Sequence, residues 1–335
     1  MQFIFTSFIG IMGRVRMSKN AMNYFKNIII PLIQANYPNI ISDMDIMILG
    51  SVGLGIDDEI SDIEASIYLD DAIWENQGKQ LQLLLNDCLA KTNNWKREGS
   101  ILCVHPVSWL LDGSANKFLS NNDNLPWENI SFETLFTMQK NTIILNSKGI
   151  LTHLREKTDV TKYPEQLWKK SLITNIKELY VEEFFELNKN VQRNHIPEAN
   201  ILFGLMIERI YHIAFLVSHE YYPWRTHLDW AFRNLSISKT ELRSQIDKLL
   251  STSSWNERVK IIKSIIEFYK NYIKNNNLIP EIDVYSDDLE TELIWAERLS
   301  AWNTPDWRNF IKEKERNAVD SGYSPEQFGV WSLWG

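Results

Sequence analysis

The chain of 335 residues has only two cysteines, Cys88 and Cys103. Two thiols cannot supply a disulfide framework, and they suit a reducing compartment. Long apolar runs are missing too: no later segment offers the roughly 18 uninterrupted apolar residues that a membrane helix needs. Residues 2–12 are apolar but too short to cross a bilayer. Arg14 and Arg16 follow that run, whereas a secretory signal carries its positive residues in front. It reads as an N-terminal extension over residues 1–18, with Met17 as an alternative start. These absences predict a cytoplasmic protein without a membrane partner. Positive charge is also short: 35 Lys and Arg face 43 Asp and Glu, a net charge of −8. That balance gives no broad attraction to nucleic acid, although it leaves room for a local basic groove. No repeat and no low-complexity tract is visible.

What is present is ordinary for a folded protein, with 44% hydrophobic residues, 23% charged residues and 13 Trp. The length suits two domains. A helix starts near Ser18, buries Tyr24, Phe25, Ile28, Ile29, Leu32 and Ile33, is open to a kink at Pro31, and ends at Tyr37-Pro38. After two strands, Asp70-Asp71 caps a helix to about Lys91 with a stripe of Leu81, Leu83, Leu84, Leu85 and Leu89. Ser100–Val107 reads as a strand that shows Ile101, Cys103 and His105 on one face. Residues 112–127 are polar, a loop or lid candidate. A helix over 131–140 and a strand over 142–146 close the mixed part near residue 150. From about 164 the pattern is helical: 164–190, 197–218, 226–235, 239–251, 255–273 and 286–299. The expected fold class is α+β: a mixed sheet with flanking helices over residues 19–150, then a helical bundle over 160–335.

The stretch that stands out runs from Ile46 to Leu69. An apolar strand (46–49) leads into a turn holding Gly50, Ser51, Gly53 and Gly55, then an acidic loop, then a strand over 61–69. Strand alternation puts Asp62 and Glu64 on one face. Adjacent carboxylates repel unless a cation lies between them, and hard oxygen ligands suit Mg²⁺. A glycine turn lets backbone N–H groups approach an anion. Glycine turns and Asp-x-Glu triplets are each common in surface hairpins; it is their order and separation that point to a metal-bound nucleoside triphosphate.

Gly50-Ser51 followed by Ser61-Asp62-Ile63-Glu64 resembles the signature of the polymerase-β-like nucleotidyltransferase superfamily, which includes the kanamycin, streptomycin and lincosamide nucleotidyltransferases. The surroundings (Pro31, Tyr37-Pro38, Leu54-Gly55, Asp57-Asp58-Glu59) are closer to an uncharacterised bacterial family with a nucleotidyltransferase-like N-terminal half. The resemblance covers residues 20–110 and extends more loosely to 235. It implies Mg²⁺-dependent transfer of a nucleoside monophosphate from an NTP to a hydroxyl of a small, antibiotic-like acceptor, with release of pyrophosphate. Asp62 and Glu64 would hold the metal, and Gly50 and Ser51 the β- and γ-phosphates. The superfamily often has a third acid on the strand that here runs from 100 to 107. This chain has none, so the base is open between His105 and the helical-half acids Glu182 and Glu183. A fold that binds nucleotide or regulates without catalysis is the other reading. Lys169, Lys170, Arg209, Arg225 and Arg233 are candidate phosphate grips. Where that family often has Lys before a Trp, this chain has Asp229 before Trp230. His212 and His219 lack the acid or thiol that would complete a zinc set.

Overall fold

The structure is a computed structural model that describes residues 21–58, 61–91, 100–107, 125, 127–280 and 282–285, together with Leu289, Leu293 and Arg316. The extension at 1–18, nearly all of the 112–127 loop and most of the expected 286–299 helix lie outside the described residues. The chain divides into two units, Met1–Lys162 and Tyr163–Gly335. The first is α+β and the second, among its described residues, is helical.

Four short strands make the sheet: β1 (Met44–Ile48), β2 (Glu64–Leu69), β3 (Ile101–Pro106) and β4 (Ile143–Asn146), in the order β3-β2-β1-β4. β1 is antiparallel to β2 and to β4, whereas β2 and β3 are parallel. Parallel neighbours need a crossover, and α2 (residues 71–91) lies between them in the chain. One face of the sheet, with Met44, Ile46, Ile48, Ala65, Ile67, Leu69, Leu102 and Val104, is buried together with residues of α1 (residues 21–36) and α2. By strand alternation the opposite face carries Asp45, Met47, Glu64, Ser66, Tyr68, Ile101, Cys103 and His105.

Pro31 does not interrupt α1. The turn just before it, Phe25–Ile29, is π-helical, and this wider turn accommodates a ring that would clash with the carbonyl four residues back in an α-helix. The stripe on α2 is narrower than expected, since Leu81, Leu85 and Cys88 are buried but Leu83 is exposed. Gln82 binds β3 instead: its Nε2 donates to the Leu102 carbonyl (2.6 Å), and its Oε1 accepts from the Val104 N–H (2.8 Å). One carboxamide thus covers part of a sheet edge.

α3 (Phe132–Lys140) falls on the helix expected over 131–140 and is capped by Ser131, whose hydroxyl accepts from the Thr134 N–H. α4 (Ile150–Lys157) was not anticipated. Gly149 precedes it and has no side chain to cap it, so Asp45 reaches across from β1. That carboxylate is 1% exposed. It accepts from the backbone N–H groups of Lys148 (2.8 Å), Ile150 (2.8 Å) and Leu151 (3.4 Å). A buried carboxylate is tolerated when donors converge on it.

In the second unit, residues 165–192 form α5, π-helical over Glu178–Phe184. α6 (Ile196–Val217) packs against it, followed by α7 (Leu228–Phe232), α8 (Glu241–Ser251) and α9 (Trp255–Asn275). α6 is the one described helix long and apolar enough to cross a bilayer by length and composition, and half of that stretch is buried in the protein. Leu205, expected in its core stripe, is exposed.

Replacing Asp45 with Ala would strand three N–H groups at the start of α4. Urea unfolding is expected to show a loss of roughly 2–4 kcal/mol, and a loss below about 0.5 kcal/mol would remove this carboxylate from the fold's essential contacts.

Candidate functional site

β1 ends at Ile48, and the Leu49 N–H donates to the Glu64 carbonyl at 2.9 Å. Beyond this rung the chain must turn at once. Gly50 does so at φ +60, a conformation that L side chains rarely adopt. Gly50–Gly53 then forms a single helical turn. At Gly53 the constraint is space, because a Cβ would lie 2.1 Å from the Ile48 carbonyl oxygen. The Gly53 carbonyl accepts from both the Thr142 N–H (2.9 Å) and the Thr142 hydroxyl (2.8 Å), and Ile48 N–H donates to the Thr142 carbonyl (2.9 Å). The turn is therefore tied to the residues that lead into β4.

Glu64 opens β2 and faces the turn. Its Oε2 lies 3.0 Å from the position where a Gly50 Cβ would be. Asp62 precedes the strand rather than sitting within it. Burial and then the charge of Asp62 push the Glu64 carboxyl above its ordinary range. The Asp62 charge thus bears on Glu64 beside the glycine turn. Asp58, from the acidic loop, serves the local backbone: the Ser61 hydroxyl donates to its Oδ1 and accepts from its N–H, both at 2.9 Å.

β3 does not bring His105 to this pair. Ile101 is the partner of Glu64 in register and is 53% exposed. His105 is opposite Tyr68, four residues farther on, about 13 Å from the Glu64 position at the usual strand rise. Its ring lies 5.7 Å from that of Tyr68, and burial pushes its pKa down, which leaves a neutral imidazole at neutral pH. The β3 side chain that senses Glu64 is Cys103, whose thiol pKa is raised by burial and then by that carboxylate. Among the described residues, no three His, Cys, Asp or Glu side chains gather into a metal-binding group.

The remaining candidates belong to the second unit, where Glu183, Lys169, Arg209, Arg225 and Arg233 have ion-pair partners. Glu183 is 6% exposed, with Oε1 3.5 Å from Arg209 Nε, while Arg209 Nη2 meets Glu178 at 2.7 Å. The Glu182 side chain lies outside the described residues. Lys169 pairs with Glu165 at 3.3 Å and Arg225 with Glu208 at 2.7 Å. His212 stacks on Tyr222 at 3.8 Å, and burial, then Arg209 and Arg225, push its pKa to about 3. Asp229 accepts from the Tyr211 hydroxyl (3.0 Å) and pairs with Arg233 (2.6 Å). Asp229 therefore serves as an internal clasp between α6 and α7.

Residues 127–231 match the family model of a domain of unknown function, DUF4037. No curated protein matches the chain. The DUF4037 match starts after the glycine turn and the acid pair. It includes Asn141 and Thr142, which line the turn from the other side, as well as α4 and α6. Residues 141 and 142 carried no sequence signal, since a lone Asn-Thr before a short strand fits no motif.

A carboxylate with a raised folded pKa binds its proton more tightly folded than unfolded. Stability falls as pH rises from the ordinary glutamate value of 4.5 through the raised one. Glu64→Gln removes this cost. The metal-free variant is expected to melt above the wild type at pH 7, and the gap should close as pH falls below 4.5. A lower melting temperature at pH 7 would show that the Glu64 charge carries no penalty in the fold.

Proposed function

We propose that the first unit binds a nucleoside triphosphate with Mg²⁺ and transfers its nucleoside monophosphate to a hydroxyl of a small acceptor. The observation that carries this reading is the Glu64 carboxylate lying over Gly50 with the Asp62 charge bearing on it. A half-buried carboxylate with a second acid beside it offers a hard cation two oxygen ligands. Asp62 and Glu64 would hold Mg²⁺, which when bound neutralises phosphate charge. The Gly50–Gly53 turn presents backbone N–H groups and the Ser51 hydroxyl to the phosphates. In the reaction the acceptor oxygen bonds to the α-phosphorus, the bond to the bridging oxygen breaks, pyrophosphate leaves, and the hydroxyl proton passes to a base. A neutral His105 can take a proton, yet its register sets it apart from the carboxylates. Glu183, Lys169 and Arg225 have partners within the second unit and are not assigned a role. A reducing, cytoplasmic setting fits the cysteine content.

One feature favours the alternative of nucleotide binding without transfer: Ile101, not an acid, stands opposite Glu64. Calorimetric titration of ATP, GTP, CTP and UTP with and without Mg²⁺ tests both readings. Mg²⁺-dependent binding is expected, and its absence for all four would sink both. Pyrophosphate release over a library of hydroxylated acceptors separates them, because tight binding with no release selects the alternative. Asp62→Asn is expected to weaken Mg²⁺-dependent binding by about 100-fold or more, on the order of 3 kcal/mol. Unchanged binding in that variant would place the site elsewhere.

A further inference from the structure

Asn141 is unlike the other buried polar groups of the first unit. The residue is 4% exposed, yet its carboxamide hydrogen-bonds to no described residue. Its backbone is fixed on both sides. Arg155 Nη2 donates to its carbonyl at 2.5 Å, and Thr142, next in sequence, is tied to Gly53 through N–H and hydroxyl. The side chain lies against the glycine turn, with Cγ 3.2 Å from where a Gly53 Cβ would be. A side chain at Gly53 would therefore meet both the Asn141 carboxamide and the Ile48 carbonyl.

The turn beside Asn141 is rich in donors. Among the described residues, no acceptor meets the backbone N–H groups of Gly50, Ser51 and Val52 or the Ser51 hydroxyl. A carboxamide adds two N–H donors. Glu64 flanks the turn at Gly50 and Asn141 flanks it at Gly53, about 5 Å apart along one helical turn. Donors from the turn and from Asn141, with the carboxylates beside Gly50, suit a polyphosphate carrying a divalent cation.

We infer that Asn141 is a phosphate-contacting residue: its carboxamide N–H donates to an oxygen of the nucleotide's polyphosphate seated on Gly50–Gly53. The inference rests on the nucleotide-binding reading above and adds a residue that the carboxylate motif does not contain. Asn141 holds the phosphate chain from the β4 side, opposite the metal ligands.

The test measures dissociation constants of a non-hydrolysable NTP, inorganic tripolyphosphate and the matching nucleoside, all with Mg²⁺. Wild type, Asn141→Ala, Asn141→Ser and Asn141→Asp are compared, with ligand-free melting curves as the check on folding. The Ala and Ser variants are expected to bind NTP and tripolyphosphate about 10-fold more weakly. Asp has nearly the same shape but the wrong charge, and is expected to cost about 100-fold or more. Nucleoside affinity should not move. Folded variants that bind both phosphates within about two-fold of a binding-competent wild type would overturn the role of Asn141 and leave the nucleotide reading intact. Loss for NTP and nucleoside with tripolyphosphate unchanged would move Asn141 to the base or ribose and overturn a phosphate contact. A wild type that binds neither phosphate ligand overturns the nucleotide reading and this inference together.

Discussion

Everything proposed for the first unit depends on one backbone carbonyl. Gly53 O receives two hydrogen bonds from Thr142, and no side chain fits at Gly53 because the Ile48 carbonyl occupies that space. The turn is therefore fixed from the strand before it and from β4. A glycine turn held only by its own residues would sample many conformations. This one has a set direction, so the N–H groups of residues 50–52, the Glu64 carboxylate and the Asn141 carboxamide keep a constant relation.

Two acids of this sheet face show how burial separates structure from chemistry. Asp45 is almost wholly buried, yet three N–H groups satisfy it and α4 begins there. Glu64 is less buried, but its neighbour is another carboxylate and its proton affinity is raised. The first arrangement stabilises the fold. The second works against it in the absence of a cation, and an uncompensated charge of that kind is a hallmark of sites that bind something.

Periodicity carried most elements because each depends on local pattern. The helices near 131–140, 239–251 and 255–273 and all four strands fall close to their expected positions. The expectation failed where distant groups decide. α4 has no local cap and exists because Asp45 supplies one from a strand about a hundred residues away in sequence. Leu83 and Leu205 fit an apolar stripe, but both are exposed in the folded chain. The glycine turn and acid pair were legible as a motif. The separation of His105 from that pair was not, because it follows from the parallel register of β2 and β3. Asn141 gave no signal at all, since its place beside Gly53 exists only in the folded chain.

The pairing of β1 with β4 also sets an order of assembly. Met47 meets Ile143, and Ile48 bonds Thr142, so the turn cannot be locked until synthesis has entered the middle third of the chain. During synthesis from the N-terminus, both carboxylates and all the turn glycines emerge long before the segment that fixes them. For that interval the ribosome-bound chain carries the recognisable motif without the shape that gives it meaning. A fragment that ends before residue 140 likewise keeps the motif in sequence and lacks the Thr142 contacts that hold the turn.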